Sequence, residues 1–184
     1  MVVVSDELDI LKSVAARLQT AGIAYMVTGS MAMNFYATPR MTRDIDIVVE
    51  LREADVARIV SLFQGEYYID RDIVEQAIRN RSMFNMIHND AVVKVDCVVR
   101  KESEYRREEF ARRRTLNLDG EPITVVAPED LILSKLEWAK DSHSPIQLDD
   151  VRNMLRSVKN LDQAYLTRWA DHLGLAALYR EVHA

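Results

Sequence analysis

Three aspartates lie in segments that the sequence pattern predicts to be β-strands. Asp44 and Asp46 stand two residues apart in DIDIVVE (44–50), and Asp96 stands in VVKVDCVV (92–99). Side chains alternate between the two faces of a strand, so Asp44 and Asp46 share one face. Strands disfavour aspartate, and a carboxylate on a central strand is costly without a partner. If the two strands are neighbours, three carboxylates converge on one point of the sheet.

These three carboxylates predict a divalent metal site. Such a cluster is repulsive unless cations neutralise it, and ligand sets made only of oxygen suit Mg²⁺ or Mn²⁺. A competing interpretation makes the aspartates solubilising acids on edge strands, and each aspartate taken alone fits that interpretation. A structural Ca²⁺ site is a further alternative. The set of three, taken with the Gly-Ser pair described next, favours a Mg²⁺ or Mn²⁺ site.

A Gly-Ser pair lies between a predicted strand and a predicted helix. IAYMVTG (23–29) is typical of a short strand that ends in Gly29, and Ser30 opens a small, Met-rich helical segment. Glycine permits a tight turn and a close approach of the backbone to a ligand, and the free N–H groups of a helix N-terminus attract phosphate. Helix capping alone also explains such a pair, so the motif gains meaning from its place before DID (44–46).

In combination these motifs resemble the nucleotidyltransferase superfamily related to DNA polymerase beta. TGS (28–30), DID (44–46) and a later single aspartate in an apolar strand carry that resemblance. Other segments more narrowly resemble the bacterial branch that includes the AbiE-type abortive-infection toxins and uncharacterised nucleotidyltransferase-like proteins. They are RMTRDID (40–46), KVD (94–96), PEDLILSKLEW (128–138) and, more loosely, LDQAYLTRWADHLG (161–174).

The resemblance implies a metal-dependent transfer of a nucleoside monophosphate from a nucleoside triphosphate to a hydroxyl group. Asp44 and Asp46 would bind two divalent metal ions, Mg²⁺ or Mn²⁺. Asp96 would complete one metal site and help to activate the attacking hydroxyl. Gly29 and Ser30 would hold the β- and γ-phosphates of the nucleotide.

Four further residues are predicted to bind the nucleotide. Arg40 and Thr42 match an RxTxD pattern of the resembled branch, in which the arginine fixes the loop or meets a phosphate. Lys94 shares a strand face with Asp96, and Lys135 matches a lysine that points to the nucleotide site in the AbiE-like pattern. A solvated strand lysine and a snorkelling surface lysine are the respective alternatives.

The same resemblance includes one more carboxylate, Asp150, and assigns no role to the two tryptophans. Asp150 matches a carboxylate of the branch's later helix, but the sequence favours Asp149 or Asp150 as the N-cap of a helix over 149–158. Trp138 and Trp169 are expected in the core.

The order of elements predicts an α/β (α+β) nucleotidyltransferase fold with a mixed β-sheet flanked by helices. Residues 1–127 would form the α/β core, and residues 128–184 a C-terminal helical region packed on it. Asn89-Asp90-Ala91 predicts one hairpin, and Asp119-Gly120 predicts another. The predicted helices cover 5–21 with Ser5 as N-cap, 30–37, 52–63, 72–79, part of 100–114, a segment from Pro128, 149–158, 161–174 and 175–183.

Composition narrows the class of protein. The chain has 184 residues, of which 48% are hydrophobic and 29% charged, which is ordinary globular usage. A single cysteine excludes a disulfide framework and a Cys-based zinc site. No apolar run is long enough to span a membrane, and the first ten residues lack the basic region of a signal peptide. We therefore expect a cytoplasmic protein without a membrane partner.

The charge balance constrains the partners. A net charge of −5 argues against a broad nucleic-acid-binding surface, although bound Mg²⁺ ions would offset much of that charge at the site. One basic cluster stands out, at Arg106, Arg107, Arg112, Arg113 and Arg114. It predicts either a solvated helix face or a contact for an RNA acceptor.

Two functions stay open at this point. The first is an active nucleotidyltransferase whose acceptor is an RNA 3′ end, a protein hydroxyl or a small molecule, in a toxin–antitoxin or defence system with an antitoxin partner. The second is a non-catalytic nucleotide- or partner-binding module, resembling an antitoxin, that keeps the fold. The presence of all three carboxylates and of Gly29-Ser30 favours the first.

Overall fold

The computed structural model describes residues 6–183, so the predicted N-cap Ser5 lies outside the described residues. Within this range the strands are β1 (Tyr25–Thr28), β2 (Asp44–Val49), β3 (Tyr67–Tyr68), β4 (Met83–His88), β5 (Lys94–Val99), β6 (Arg114–Leu118) and β7 (Glu121–Val125). They form a mixed sheet in the order β3-β4-β5-β2-β1-β7-β6. The predicted fold class is confirmed.

One α-helix of the described range precedes the first strand, four lie between strands in the chain, and four follow the last strand. They are α1 (Asp6–Thr20), α2 (Gly29–Met33), α3 (Val56–Phe63), α4 (Arg71–Asn80), α5 (Glu104–Ala111), α6 (Pro128–Ala139), α7 (Pro145–Ser157), α8 (Gln163–His172) and α9 (Ala176–His183). A 3₁₀ turn (Glu53–Asp55) precedes α3, and α2 is shorter than the predicted 30–37. No helix in the described part of the chain combines the length and apolar character that a membrane crossing requires.

The two aspartate-bearing strands are neighbours in the middle of the sheet. β2 pairs with β5 in parallel, and Asp46 stands opposite Asp96 in the register. The alternating residues of the other face, Ile45 and Ile47 among them, are fully buried, so burial of that face fixes the register. The interpretation of these aspartates as edge-strand acids is therefore wrong, because both strands are central.

Both predicted hairpins are present. β4 and β5 pair antiparallel around the predicted Asn89-Asp90-Ala91 turn. β6 and β7 pair antiparallel around Asp119 and Gly120, which both adopt positive φ angles of 52° and 95°. Positive φ at both central positions is what a tight hairpin turn requires, and it favours Asp-Gly.

The helix predicted over 149–158 begins four residues earlier, which corrects one prediction. α7 starts at Pro145 with Ser144 as its N-cap, because proline is well suited to the first turn of a helix. Asp149 and Asp150 therefore lie inside the helix, and neither is its N-cap.

α6 is the central helix of the C-terminal region, and it contacts α2, α7 and α8. Its last turn buries Leu136 and Ala139, but Trp138 in the same turn is 77% exposed, so its predicted core position is wrong. Trp169 of α8 is buried, as predicted.

The predicted basic cluster is largely paired with carboxylates and is not a simply solvated face. Arg106 donates to both carboxylate oxygens of the buried Glu109, at 2.8 Å. Arg112 donates to Glu129 at 3.1 Å and to Asp130 at 3.0 Å. The Arg112 contacts tie the segment after α5 to α6, and Arg106 ties α5 to α6 through a 3.0 Å hydrogen bond to Ser134. Much of the cluster's charge therefore serves the packing of the helical region.

Asp130 is the buried end of this network, and its loss is expected to destabilise the protein. The carboxylate is fully buried and accepts hydrogen bonds from Arg112 and, at 2.6 Å, from the Tyr165 hydroxyl. We expect Asp130→Ala to lower the free energy of unfolding in urea by about 3 kcal/mol, because it leaves the Tyr165 hydroxyl and the Nε of Arg112 without their partner. Tyr165→Phe removes one hydrogen bond and should cost about 1 kcal/mol. Equal losses in the two variants would contradict this account.

Candidate functional site

The carboxylates of Asp46 and Asp96 project from the same face of the two central strands. Asp44, at the start of β2, shares this face but is exposed. Burial raises the pKa of Asp46 to about 6, and the negative charges of Asp96 and Asp44 contribute to the rise. Asp46 and Asp96 therefore lie close together, as expected, and Asp46 is repelled by the negative charges of Asp96 and Asp44.

The two oxygens of Asp96 have different surroundings. The Lys94 ammonium lies 2.8 Å from Oδ2, and this hydrogen bond raises the pKa of Lys94. Oδ1 is buried and has no hydrogen-bond partner within residues 6–183. A buried carboxylate oxygen without a partner costs free energy, so this atom is suited to an external ligand.

Gly29 makes the close approach of α2 to β2 possible. Its φ angle is +64°, and a Cβ atom built at this position would lie 2.1 Å from Oδ2 of Asp46. Any side chain here would have to displace the Asp46 carboxylate. The predicted tight turn is thus present, whereas α2 itself has only five residues.

Asp150 joins two cations next to Ser30. Its carboxylate accepts two hydrogen bonds from Arg40, both at 2.9 Å, in a bidentate arrangement. It also accepts a hydrogen bond of 2.7 Å from Lys135. Arg40 in turn donates to the Ser30 hydroxyl. The network links the loop after α2 to α6 and α7.

The titration of these groups follows from their burial and pairing. Burial alone would raise the pKa of Asp150, but hydrogen bonds from Arg40 and Lys135 lower it overall. Burial lowers the pKa of Lys135, and Asp150 opposes that effect. The hydrogen bond to Asp150 raises the pKa of Arg40.

Asn34 holds the loop that presents Arg40. Its side-chain amide donates to the Arg40 carbonyl at 2.9 Å and accepts from the Arg40 N–H at 3.0 Å. Thr42 is partly buried and lines a different groove together with Met41. The structure therefore brings Arg40 to the site but leaves Thr42 outside it.

A cavity of about 270 Å³ collects most of the predicted residues, and we call it the Ser30 cavity. Its lining includes Gly29, Ser30, Asp46, Asp96 and Lys135. Among residues 6–183, no three His, Cys, Asp or Glu side chains are arranged as a ready metal site. The lining also includes Gln147, which the sequence did not single out.

The sequence pattern did not indicate that Asp150 pairs with Arg40 and Lys135, and it did not point to Asn34 or Gln147. The resemblance of Asp150 to a carboxylate of the nucleotidyltransferase branch was the one available signal. The N-cap interpretation displaced that signal because the start of α7 was placed too late.

Comparisons with known proteins identify the fold. No protein-family model matches the chain, and no curated protein is similar to it in sequence. Several solved structures are similar. ANT(2″)-Ia in complex with adenylyl-2″-tobramycin has a TM-score of 0.58 and 16% identity, covering 98% of this chain and 100% of that one.

Two further structures agree. An antigenic nucleotidyltransferase-like protein from Paracoccidioides brasiliensis has a TM-score of 0.56 and 17% identity, covering 94% of this chain and 92% of its own. The lincosamide antibiotic adenylyltransferase LnuA, bound to lincomycin, has a TM-score of 0.54 and 11% identity, covering 83% of this chain and 97% of its own. At these identities the likeness establishes a shared nucleotidyltransferase fold.

The chain offers a matched pair of glycines to test the Gly29 contact. Gly22 has a φ angle of +66°, and a Cβ atom built there would have no neighbour within 4 Å. Gly29 has nearly the same φ angle, +64°, but a Cβ atom there would collide with the Asp46 carboxylate. Gly22→Ala should therefore cost about 1 kcal/mol of stability from backbone strain alone. Gly29→Ala should cost more, and it should also displace Asp46 and weaken Mg²⁺ binding measured by calorimetry.

If Gly29→Ala binds Mg²⁺ as tightly as Gly22→Ala does, the contact between Gly29 and Asp46 has no bearing on the site.

The lowered pKa of Asp150 predicts a pH dependence of stability. A carboxylate whose pKa is lower in the folded state stabilises the protein above its unfolded pKa, near 3.9, and loses that contribution as the pH falls. At pH 7 we expect Asp150→Asn to lower the free energy of unfolding by about 1–3 kcal/mol. The difference from wild type should shrink as the pH falls below about 4.

Asp149→Asn is the control, because Asp149 is exposed on the same helix. A deficit for Asp150→Asn that stays constant down to pH 2 would contradict the ionic role.

Proposed function

We propose that this protein is a nucleotidyltransferase that transfers a nucleoside monophosphate from a nucleoside triphosphate to a hydroxyl group. One observation carries the proposal: the Asp46 and Asp96 carboxylates and the Ser30 and Lys135 side chains line one cavity. Acidic groups for a metal and groups for phosphates are thus adjacent on a nucleotidyltransferase fold, which is the arrangement that nucleotidyl transfer needs.

A divalent cation fits the acidic side of this cavity. The buried Oδ1 of Asp96 has no hydrogen-bond partner in the described range, and burial and like charge raise the pKa of Asp46. Both features are relieved by a cation. Asp44, Asp46 and Asp96 would hold Mg²⁺ or Mn²⁺, and Lys94, which is partly exposed, would yield its place on Asp96. When bound, the metal would neutralise charge on the reacting phosphate.

The opposite side of the cavity suits the leaving pyrophosphate. Lys135 is nearly fully buried, and Arg40 reaches the Ser30 hydroxyl. Asp150 holds both cations in fixed positions, so they need not be ordered when the nucleotide binds. Ser30, Lys135 and Arg40 would contact the β- and γ-phosphates, and their positive charge would stabilise the negative charge that develops on the leaving group.

In the proposed reaction the acceptor oxygen attacks the α-phosphorus. A new P–O bond forms, and the bond from the α-phosphorus to the oxygen bridging the β-phosphate breaks. Pyrophosphate leaves, and the hydroxyl proton is removed with help from Asp96. The protein's contribution is to position these groups and to balance their charge.

A small hydroxylated molecule is the acceptor class that we favour. Two of the solved structures that share this fold hold adenylyl-2″-tobramycin and lincomycin. Two of the five arginines expected to meet RNA are engaged within the fold, since Arg106 and Arg112 pair with carboxylates. An RNA 3′ end and a protein hydroxyl are the other acceptors to test, with ATP the first donor to try.

The non-catalytic alternative also has an observation in its favour. The Lys94 ammonium satisfies one oxygen of Asp96 without a metal, as a binding module that keeps the fold would require. An AbiE-type toxin role with an antitoxin partner stays a prediction from the sequence motifs. A neighbouring gene for a repressor-like antitoxin would support it.

Asp46 provides the direct test of catalysis. We expect wild-type protein, incubated with Mg²⁺, each labelled nucleoside triphosphate and a cell extract, to transfer label to an acceptor. Asp46→Asn should lower the rate at least 100-fold, because it removes a carboxylate that would hold the metal ion against the reacting phosphate. Asp90→Asn, which changes an exposed carboxylate in the hairpin turn, should leave the rate unchanged.

If no label is transferred but calorimetry shows that wild type binds the nucleotide, the protein is a binding module and the catalytic proposal is wrong. Omission of Mg²⁺ with excess chelator should abolish transfer, and Mn²⁺ should restore it.

A further inference from the structure

A second cavity adjoins the Ser30 cavity, and Trp138 lies where the two meet. This cavity, which we call the Arg106 cavity, has a volume of about 440 Å³. Four residues line both cavities: Thr28, Val98, Ser134 and Trp138. The two cavities are therefore compartments of one continuous cleft between the sheet and α6.

The size of the two compartments indicates a ligand that spans both. The Ser30 cavity, at about 270 Å³, lies below the range of roughly 300–1,000 Å³ that is typical of small-molecule sites. It is large enough for a triphosphate and small for a whole nucleotide. The Arg106 cavity provides that room directly beyond the shared wall.

The chemistry of the Arg106 cavity suits a flat aromatic ring with polar edges. Val48 and Val98 form an apolar floor, and the indole of Trp138 is 77% exposed beside it. An exposed indole that lines a cavity offers a face on which a base can stack. The placement explains why this tryptophan is outside the core.

A preorganised polar network borders the same cavity. Ser134 donates to Glu109 at 2.8 Å, and Arg106 donates to the same carboxylate and, at 3.0 Å, to the Ser134 hydroxyl. Glu109 and Ser134 are buried. Fixed donors and acceptors at the edge of an apolar floor can select the hydrogen-bonding edge of a ligand without further ordering.

We propose that the Arg106 cavity holds the nucleobase of the nucleoside triphosphate, stacked on Trp138, while the triphosphate occupies the Ser30 cavity. This inference rests on the proposed function and adds to it the binding site of the nucleobase. The acceptor then approaches from the other side of the Ser30 cavity, where Met83 of β4 is half exposed. The polar network makes Arg106, Glu109 and Ser134 the residues that determine which base is preferred.

Binding measurements on the full chain separate the base from the phosphates. The probes are the α,β-methylene analogues of ATP, GTP, CTP and UTP, and inorganic tripolyphosphate, each with Mg²⁺. We expect Trp138→Ala to weaken binding of the preferred analogue about 10-fold in calorimetry, with no change for tripolyphosphate. Trp138→Phe keeps an aromatic face and should restore most of the affinity.

Fluorescence gives an independent readout, because the chain has two tryptophans and Trp169 is buried. The preferred analogue should quench the emission of wild type, and tripolyphosphate should not. Trp138→Phe should abolish the quenching while its affinity persists.

The outcomes distinguish this inference from the function on which it rests. Wild type that binds neither probe overturns the proposed function and this inference together. If wild type and Trp138→Ala bind the analogue with the same affinity, the proposed nucleobase site is wrong and the proposed function is unaffected. Equal weakening of analogue and tripolyphosphate also overturns the nucleobase site, as does a defect of Trp138→Ala confined to the KM of the acceptor, which would make the cavity an acceptor site.

Discussion

The parallel pairing of β2 with β5 places Asp46 opposite Asp96, and this juxtaposition of carboxylates is the constraint on which the rest of the site depends. Like charges at facing positions of neighbouring strands oppose folding. The buried face of the same strands, with Ile47 and Cys97, holds them in this register. Hydrophobic packing on one face of the sheet therefore maintains electrostatic repulsion on the other, and the raised pKa of Asp46 records its burial and that repulsion.

The nearby cations are arranged so that they do not collapse onto Asp46. Lys94 contacts Asp96, while Asp150 holds Lys135, which lines the Ser30 cavity, and Arg40, which donates to Ser30. A binding site for a metal and a triphosphate needs negative and positive groups kept apart, because direct ion pairs between them would have to be broken first. Asp150 would meet that need in the proposed function, and for this reason we include its carboxylate in the proposed site together with the cations it holds.

Much of this arrangement could be predicted from the sequence, and the remainder has physical causes. The alternation of side chains along a strand predicted that Asp44 and Asp46 share one face, and Asp119-Gly120 predicted a hairpin. Which strand neighbours β2 came only from family resemblance, since pairing is a tertiary property. Asp150 was misplaced because a carboxylate suits both an N-cap and an ion pair. Trp138 was misplaced because an amphipathic pattern does not distinguish a core face from a cavity wall.

α6 shows why the predicted boundary at residue 128 divides the sequence by composition but does not divide the site. One turn of this helix directs Asp130 to Arg112 and Tyr165, and a later turn brings Lys135 to Asp150. The contacts that join α6 to α7, α8 and the segment after α5 thus also set the position of Lys135, whose charge acts on Asp46. A change that loosens the packing of α6 would therefore alter the charge balance of the Ser30 cavity, and it would couple stability to the proposed function through this helix.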